Sequence, residues 1–191
     1  MGIGFYQSDE AAGKQLRFLI NRIVEVVIVI ALAVFVARFY CASFTISGHS
    51  MEPTLQNGDF VLTDYVRYRI FSPDRGDVIA FSREDGTISI KRVIGLPGET
   101  VQIQNGVVYI DGEALKKNNE DLSVTLAGLA ETEIKLESDE YFVLGDNHDS
   151  SEDSRFANVG NVKRSQILGK VWLRLFPLQH FGFLSNQHIK K

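Results

Sequence analysis

The stretch from Phe18 to Tyr40 constrains this chain most, because its centre, Val26 to Ala37, runs twelve residues without a charge. The full stretch of 23 residues makes roughly 35 Å of helix, enough to cross a hydrocarbon core of about 30 Å. Val and Ile dominate it, which is weak for a helix in water but acceptable in lipid. Arg22 and Glu25 lie three apart near its N-terminal end, on one helical face, where they can pair or snorkel to the interface. A cleavable signal peptide would need a short apolar run ending in small residues. Here Arg38-Phe39-Tyr40 follow, and Tyr40 is bulky where a cut after Ala42 would require a small side chain. A buried helix this uniformly apolar would need a larger protein around it. The stretch therefore reads as a retained anchor in the cell membrane, crossing the lipid once. Lys14, Arg17 and Arg22 precede the uncharged core and only Arg38 follows closely, so the positive-inside bias puts the N-terminus in the cytoplasm. The expected organisation is a polar, frayed cytoplasmic tail over 1–17, a transmembrane helix over 18–40 and an extracytoplasmic domain over 41–191.

The pattern beyond the anchor changes to short strands. Phe60-Val61-Leu62 and Asp77 to Phe81 are apolar runs bounded by turn residues, and Thr87 to Ile94 follows the turn Glu84-Asp85-Gly86. Thr100 to Gln104 and Val107 to Ile110 flank Asn105-Gly106, the strongest short hairpin signal, and Gly112 ends that ribbon. Leu115 to Asp139 is polar and weakly patterned, so it reads as a loop-rich connection. Tyr141 to Leu144 and Val171-Trp172-Leu173 read as further strands. The expected fold class is mainly β, an antiparallel β-sheet catalytic domain after one N-terminal transmembrane helix. A hydrophobic fraction of 45% with 13 Phe is ample for its core. Net charge is −4, which gives no basic surface for nucleic acid. Cys41 is the only cysteine, and His49, His148, His180 and His188 form no zinc-type pair on one helix face, so no metal or other cofactor is expected.

Chemistry concentrates in three blocks. The first is Ser47-Gly48-His49-Ser50-Met51-Glu52-Pro53-Thr54-Leu55. Gly48 admits backbone conformations closed to other residues, and Pro53 fixes its own φ and drives Glu52 towards extended geometry. The block reads either as a polar turn leaving the membrane or as a shaped loop presenting Ser50 as a nucleophile. A nucleophilic serine needs an adjacent base. His49 is its neighbour, but adjacent residues on an extended loop point apart, and Glu52 stands where a nucleophile elbow has its second glycine. His148 lies near Asp146 and Asp149, and its ordinary reading is an exposed loop histidine. The second block is Lys91-Arg92-Val93-Ile94-Gly95-Leu96-Pro97-Gly98. A strand lysine is usually a solvated edge residue, but one desolvated in an apolar cleft loses its proton more readily and can serve a serine as base. No acidic residue within Ile88 to Leu96 opposes that. The third block, Gly145 to Arg155, packs carboxylates, hydroxyls and one Arg into a short turn. It lacks the glycine and terminal glutamate of a calcium loop and suits a role in holding a catalytic group in place.

These blocks, in this order after an anchor, resemble the type I signal peptidases, membrane-anchored Ser-Lys proteases of bacterial secretion. Gly169-Lys170-Val171 with Arg174 and Pro177 looks like that family's closing strand, so the resemblance runs from the anchor almost to the C-terminus. It implies that Ser50 is the nucleophile, Lys91 the general base and Ser151 the hydroxyl that orients the lysine, with Asp146, Asp153 and Arg155 bracing the site. Gly48 stands where some members supply a hydroxyl to the oxyanion hole, so the Ser50 backbone N–H would carry that duty. His148 replaces the usual Arg and Glu99 the common Asp. The short 115–139 connection resembles the compact single-spanning form seen mostly in Gram-positive bacteria. The implied activity is serine endopeptidase removal of signal peptides from exported preproteins carrying small residues before the cut. The implied partners are those preproteins and membrane lipid. Two rivals are a self-cleaving Ser-Lys protease of related fold and a non-catalytic relative assisting surface-protein assembly. The first would carry a DNA-binding region where the apolar span lies; the second would have lost Ser50 or Lys91.

Overall fold

A computed structural model describes residues 4–184 and 189–191. His188 and the first three residues of the expected tail lie outside them. The chain divides into two compact units, Met1–Tyr40 and Cys41–Lys191.

The first unit is one helix, α1 (Gly4–Tyr40), whose segment Lys14–Phe35 is long and apolar enough to cross a membrane. The expected frayed tail is therefore helical from Gly4. No proline interrupts the sequence there, and Ala11, Ala12, Lys14, Gln15 and Leu16 are good helix formers. Arg22 and Glu25 do pair, Nη1 to Oε2 at 2.7 Å.

The second unit is built from antiparallel strands: β1 (Cys41–Thr45), β2 (Phe60–Asp64), β3 (Val78–Ser82), β4 (Ile88–Gly95), β5 (Thr100–Gln104) and β6 (Val107–Ile110). Four two-residue strands follow, β7 (Glu113–Ala114), β8 (Lys116–Lys117), β9 (Glu120–Asp121) and β10 (Ile134–Lys135). The remainder are β11 (Glu140–Leu144), β12 (Val162–Lys163), β13 (Ile167–Phe176), β14 (Gly182–Phe183) and β15 (Ile189–Lys190). A short helix, α2 (Arg67–Ile70), follows β2.

The main sheet runs β1-β2-β13-β3-β4-β11-β12, with β14 on β13. The segment that resembles a closing strand thus enters the middle of the sheet, between β2 and β3. It is held there electrostatically as well as by its ladder. Lys170 Nζ reaches Asp77 Oδ1 at 2.5 Å and Arg174 Nη1 reaches Asp59 Oδ2 at 2.8 Å, and both carboxylates are buried. A smaller sheet, β10-β5-β6-β7, forms around the Asn105-Gly106 hairpin, so the ribbon continues past Gly112 by one more short strand. The 115–139 connection is more than a loop. Leu115, Leu122, Ala130 and Leu136 are buried in a cluster with Val101, Val108 and Phe142.

A separate cluster matters most for function. Met51 and Leu55 sit with Ile46, Val61, Val78, Ala80 and Val171 beneath the Ser50 turn. Burying each of these two side chains stabilises by about 1.5–3 kcal/mol, which pins the turn from below.

Candidate active site

The turn after β1 is shaped by its own backbone. Gly48 has φ +94°, a conformation L side chains rarely adopt, and its N–H donates to Asn57 Oδ1 at 3.1 Å. Ser50 follows at the top of the turn. Its carbonyl accepts from the Asn147 N–H at 3.0 Å, so the Gly145–Arg155 loop is hydrogen-bonded directly to the serine's main chain.

Lys91 reaches Ser50 from β4. Its Nζ lies 2.8 Å from Ser50 Oγ, although the two residues are 41 apart in sequence. Alternation along β4 sends Arg92 the other way. Its Nε and Nη2 grip Asp146 at 2.7 and 2.5 Å, and Asp146 also accepts from Thr54 Oγ1 at 2.5 Å. One carboxylate therefore ties the strand carrying Lys91 to the turn carrying Ser50. Sequence reading placed Asp146 as a brace but passed over Thr54 and Arg92. Their signal was their position, one following the Ser50-Met51 pair and the other beside Lys91 on the opposite strand face.

Lys91 is only 5% exposed. Burial lowers its pKa to about 8; Asp153 and Glu152 oppose the shift, while Arg83 and Arg155 assist it. No acid within Ile88–Leu96 opposes Lys91, as expected of that run; the two opposing carboxylates arrive from the Gly145–Arg155 loop. Asp153 and Arg155 are themselves fully buried and joined through Nε at 2.8 Å and Nη2 at 3.0 Å. Asp153 also accepts from the Gly145 N–H at 3.0 Å, and Arg155 donates to the carbonyls of Leu126 and His148.

Ser151 departs from its expected role. Its hydroxyl is buried with no hydrogen-bond partner, so the orienting bond to Lys91 is not made. It packs instead against Gly145, where an added Cβ would meet Ser151 Oγ and the Ser50 carbonyl.

Neither His49 nor His148 is placed as a base for Ser50. His49 Nδ1 pairs with Glu52 Oε1 at 2.7 Å on the exposed side of the turn. His148 is half-buried rather than exposed, because the loop folds back over it, and burial followed by Arg155 pushes its pKa down. Glu99 is structural: it takes both oxygens to Arg75 Nη2, at 2.6 and 2.8 Å, and caps the Leu96 N–H.

Beside Ser50 and Lys91 opens a cleft of about 230 Å³. Its walls are consecutive residues of two chain segments, Phe44 to Ser47 and Ile88 to Lys91, with Met51 at the base. Among the described residues β1 pairs with β2 alone, and β11 pairs with β4 only from Arg92 onwards, so the two segments line the cleft without being bonded to each other.

The sequence pattern of the family described as "Signal peptidase, peptidase S26" matches residues 19–176. The chain belongs to that family. A signal peptidase IB of Staphylococcus aureus is 30% identical over 183 residues, covering 88% of this chain and 95% of the relative. A signal peptidase I of Leptolyngbya laminosa is 35% identical over 164 residues, covering 81% of this chain and 78% of the relative. Among solved structures, a signal peptidase I of Enterococcus faecalis is 32% identical, with a TM-score of 0.42, and covers 53% of this chain and 97% of its own. Within this family the chain is a peptidase, a hydrolase of the serine endopeptidase class.

Proposed function

We propose that this signal peptidase removes signal peptides from exported preproteins with Ser50 as nucleophile and Lys91 as general base. The observation that carries the reading is the 2.8 Å contact between Ser50 Oγ and a buried lysine beside a cleft walled by Phe44–Ser47 and Ile88–Lys91.

An extended substrate fits between Phe44–Ser47 and Ile88–Lys91 as an added strand, hydrogen-bonded through main-chain groups and read by the cleft at alternate side chains. A cleft this small suits small residues before the cut, as in Ala-x-Ala. Neutral Lys91 Nζ takes the proton from Ser50 Oγ as the oxygen attacks the scissile carbonyl carbon. The carbonyl oxygen gains the negative charge and is met by the Ser50 backbone N–H, the glycine at position 48 supplying no hydroxyl. When the C–N bond breaks, the protonated lysine gives its proton to the leaving amine, and an ester remains on Ser50. Neutral Lys91 then deprotonates a water that attacks the ester, and returns the proton to Ser50 Oγ. Asp146, through Arg92 and Thr54, and the buried Asp153–Arg155 pair hold the two reacting groups in register. Substrate docking excludes water from Lys91 and favours its neutral form further.

Lys14–Phe35 anchors the enzyme in the membrane with the basic side cytoplasmic and the peptidase unit outside, where exported chains emerge. The test is mass spectrometry of a preprotein incubated with the purified full chain. The reading requires one cut after small residues, and its loss in Ser50→Ala and in Lys91→Arg, whose guanidinium stays protonated. Near-normal cleavage by either variant overturns it. Protease added to intact cells must also reach residues beyond Tyr40; protection until lysis reverses the orientation.

A further inference from the structure

Arg83 occupies a costly position that the mechanism above does not use. It begins the turn between β3 and β4, its N–H donating to the Thr87 carbonyl at 2.8 Å and its carbonyl accepting from Gly86 at 3.0 Å. Just before it, Ser82 and Phe81 face Ile88 and Ser89 on the strand that carries Lys91. Its guanidinium crosses to the Gly145–Arg155 loop and beyond, with Nη2 at 3.3 Å from Glu152 Oε2 and 3.4 Å from the Asn158 carbonyl. Asn158 Nδ2 holds the same Glu152 oxygen at 3.1 Å. Arg83 Nε is buried with no hydrogen-bond partner. An unmet buried donor is costly, and a loose pair with an exposed glutamate returns little. Fold stability alone does not account for a guanidinium here.

We propose that Arg83, paired with Glu152, is a positioning residue for the reaction: it ties the hairpin carrying Lys91 to the loop carrying Ser151 and Asp153 and keeps a cation on the lysine's side of the site. The inference rests on Lys91 being the base.

The charged groups that act on Lys91 are Asp153, Arg83, Glu152 and Arg155. Asp153 and Arg155 are bonded to each other in full burial, and of the two Asp153 acts more strongly on Lys91, favouring its charged form. The other pair is unequal. The Glu152 side chain is 63% exposed and screened by water, whereas that of Arg83 is 18% exposed and screened far less. Within this pair the cation outweighs the anion and disfavours a second positive charge on Lys91, in the same direction as burial does, while Asp153 acts against it. A neighbouring cation is an established way to make a lysine nucleophilic or basic at neutral pH.

The test is the pH dependence of kcat/KM for the full-length enzyme in detergent on one preprotein, comparing wild type with Arg83→Gln, Arg83→Lys and Glu152→Gln. Arg83→Gln removes the cation and moves the ascending limb a few tenths of a pH unit higher. Glu152→Gln removes the opposing anion and moves it lower. Arg83→Lys keeps the wild-type limb. The opposite signs separate a charge effect from simple loosening of the loop, which would lower kcat in both variants without moving the limb in opposite directions. Shifts of the same sign, or a lowered plateau with unmoved limbs, overturn the role of Arg83 and leave Lys91 as base intact. A wild-type profile with no ascending limb would remove the base assignment itself, and the Arg83 inference with it.

Discussion

Replacing Gly145 with alanine tests how tightly the Ser50 turn and the Gly145–Arg155 loop are set against each other. A Cβ at this position would lie 2.2 Å from Ser151 Oγ, 2.5 Å from Ser151 Cβ and 2.5 Å from the Ser50 carbonyl oxygen. Ordinary contact starts at 3.4 Å, so the methyl is about 0.9 Å too close to the backbone of Ser50 itself. The Ser151 side chain can turn away, but the Ser50 carbonyl cannot move without breaking its bond from the Asn147 N–H at 3.0 Å. Overpacking of this kind destabilises by about 1–3 kcal/mol. In a domain of this size each kcal/mol lowers Tm by roughly 2–4 °C. The larger effect falls on turnover, since a shift of about 1 Å in a reacting group can cost on the order of 100-fold. Gly145→Ala should therefore fold, melt several degrees lower and lose about two orders of magnitude in kcat, with KM changed less. Gly182→Ala is the control: nothing lies within 4 Å of its added Cβ, so Tm and kcat should stay near wild type. Thermal melting and steady-state cleavage of a preprotein read both. Wild-type kcat in Gly145→Ala would show that the Ser50 turn and the Gly145 loop are not in rigid register, and would refute the reasoning.

The base requires Lys91 neutral, and its pKa is lowered by burial to about 8, so kcat/KM should rise through a single limb near that pH; a limb near the free-lysine value of about 10.4 would contradict the desolvation argument. The same shift has a stability consequence. With the folded pKa below the unfolded one, the unfolded chain binds the extra proton between them, so this group's contribution makes stability rise with pH from about 8 to 10.5. Lys91→Met should thus be more stable than wild type at pH 7, by at most about 3 kcal/mol, with the gain fading above pH 10; urea titrations at the two pH values measure it. His49→Ala and His148→Ala should each keep kcat/KM within about tenfold, since the first pairs with Glu52 on the exposed side and neither donates to Ser50; a loss of about a thousandfold in either would restore a histidine base.

The long apolar helix was legible because an uncharged apolar run has few alternatives, and the Asn105-Gly106 hairpin because its turn chemistry is specific. The β13 position was not. A strand's neighbours depend on pairings across the whole domain, and nothing in Ile167–Phe176 alone says that it enters between β2 and β3. The 115–139 connection looked like loop because its strands are two residues long, too short for alternation to register, although it buries Leu115, Leu122 and Leu136. At the site, Ser50 and Lys91 were findable from residue type and resemblance. What was missed depends on distance in space. The carboxylates acting on Lys91 come from 152 and 153, Arg92 and Thr54 meet at Asp146, and the Ser151 hydroxyl lies against Gly145 without a bond to the lysine.

The central claim is that Ser50 Oγ carries the acyl group, activated by Lys91. Acid-quenching the full-length enzyme during preprotein cleavage, then digesting it and measuring peptide masses, tests this most directly. The account predicts an ester of the released signal peptide on the fragment containing Ser50, absent in Ser50→Ala and in Lys91→Arg. An acyl group on any other residue, or continued cleavage by Ser50→Ala with no adduct on that fragment, would contradict it.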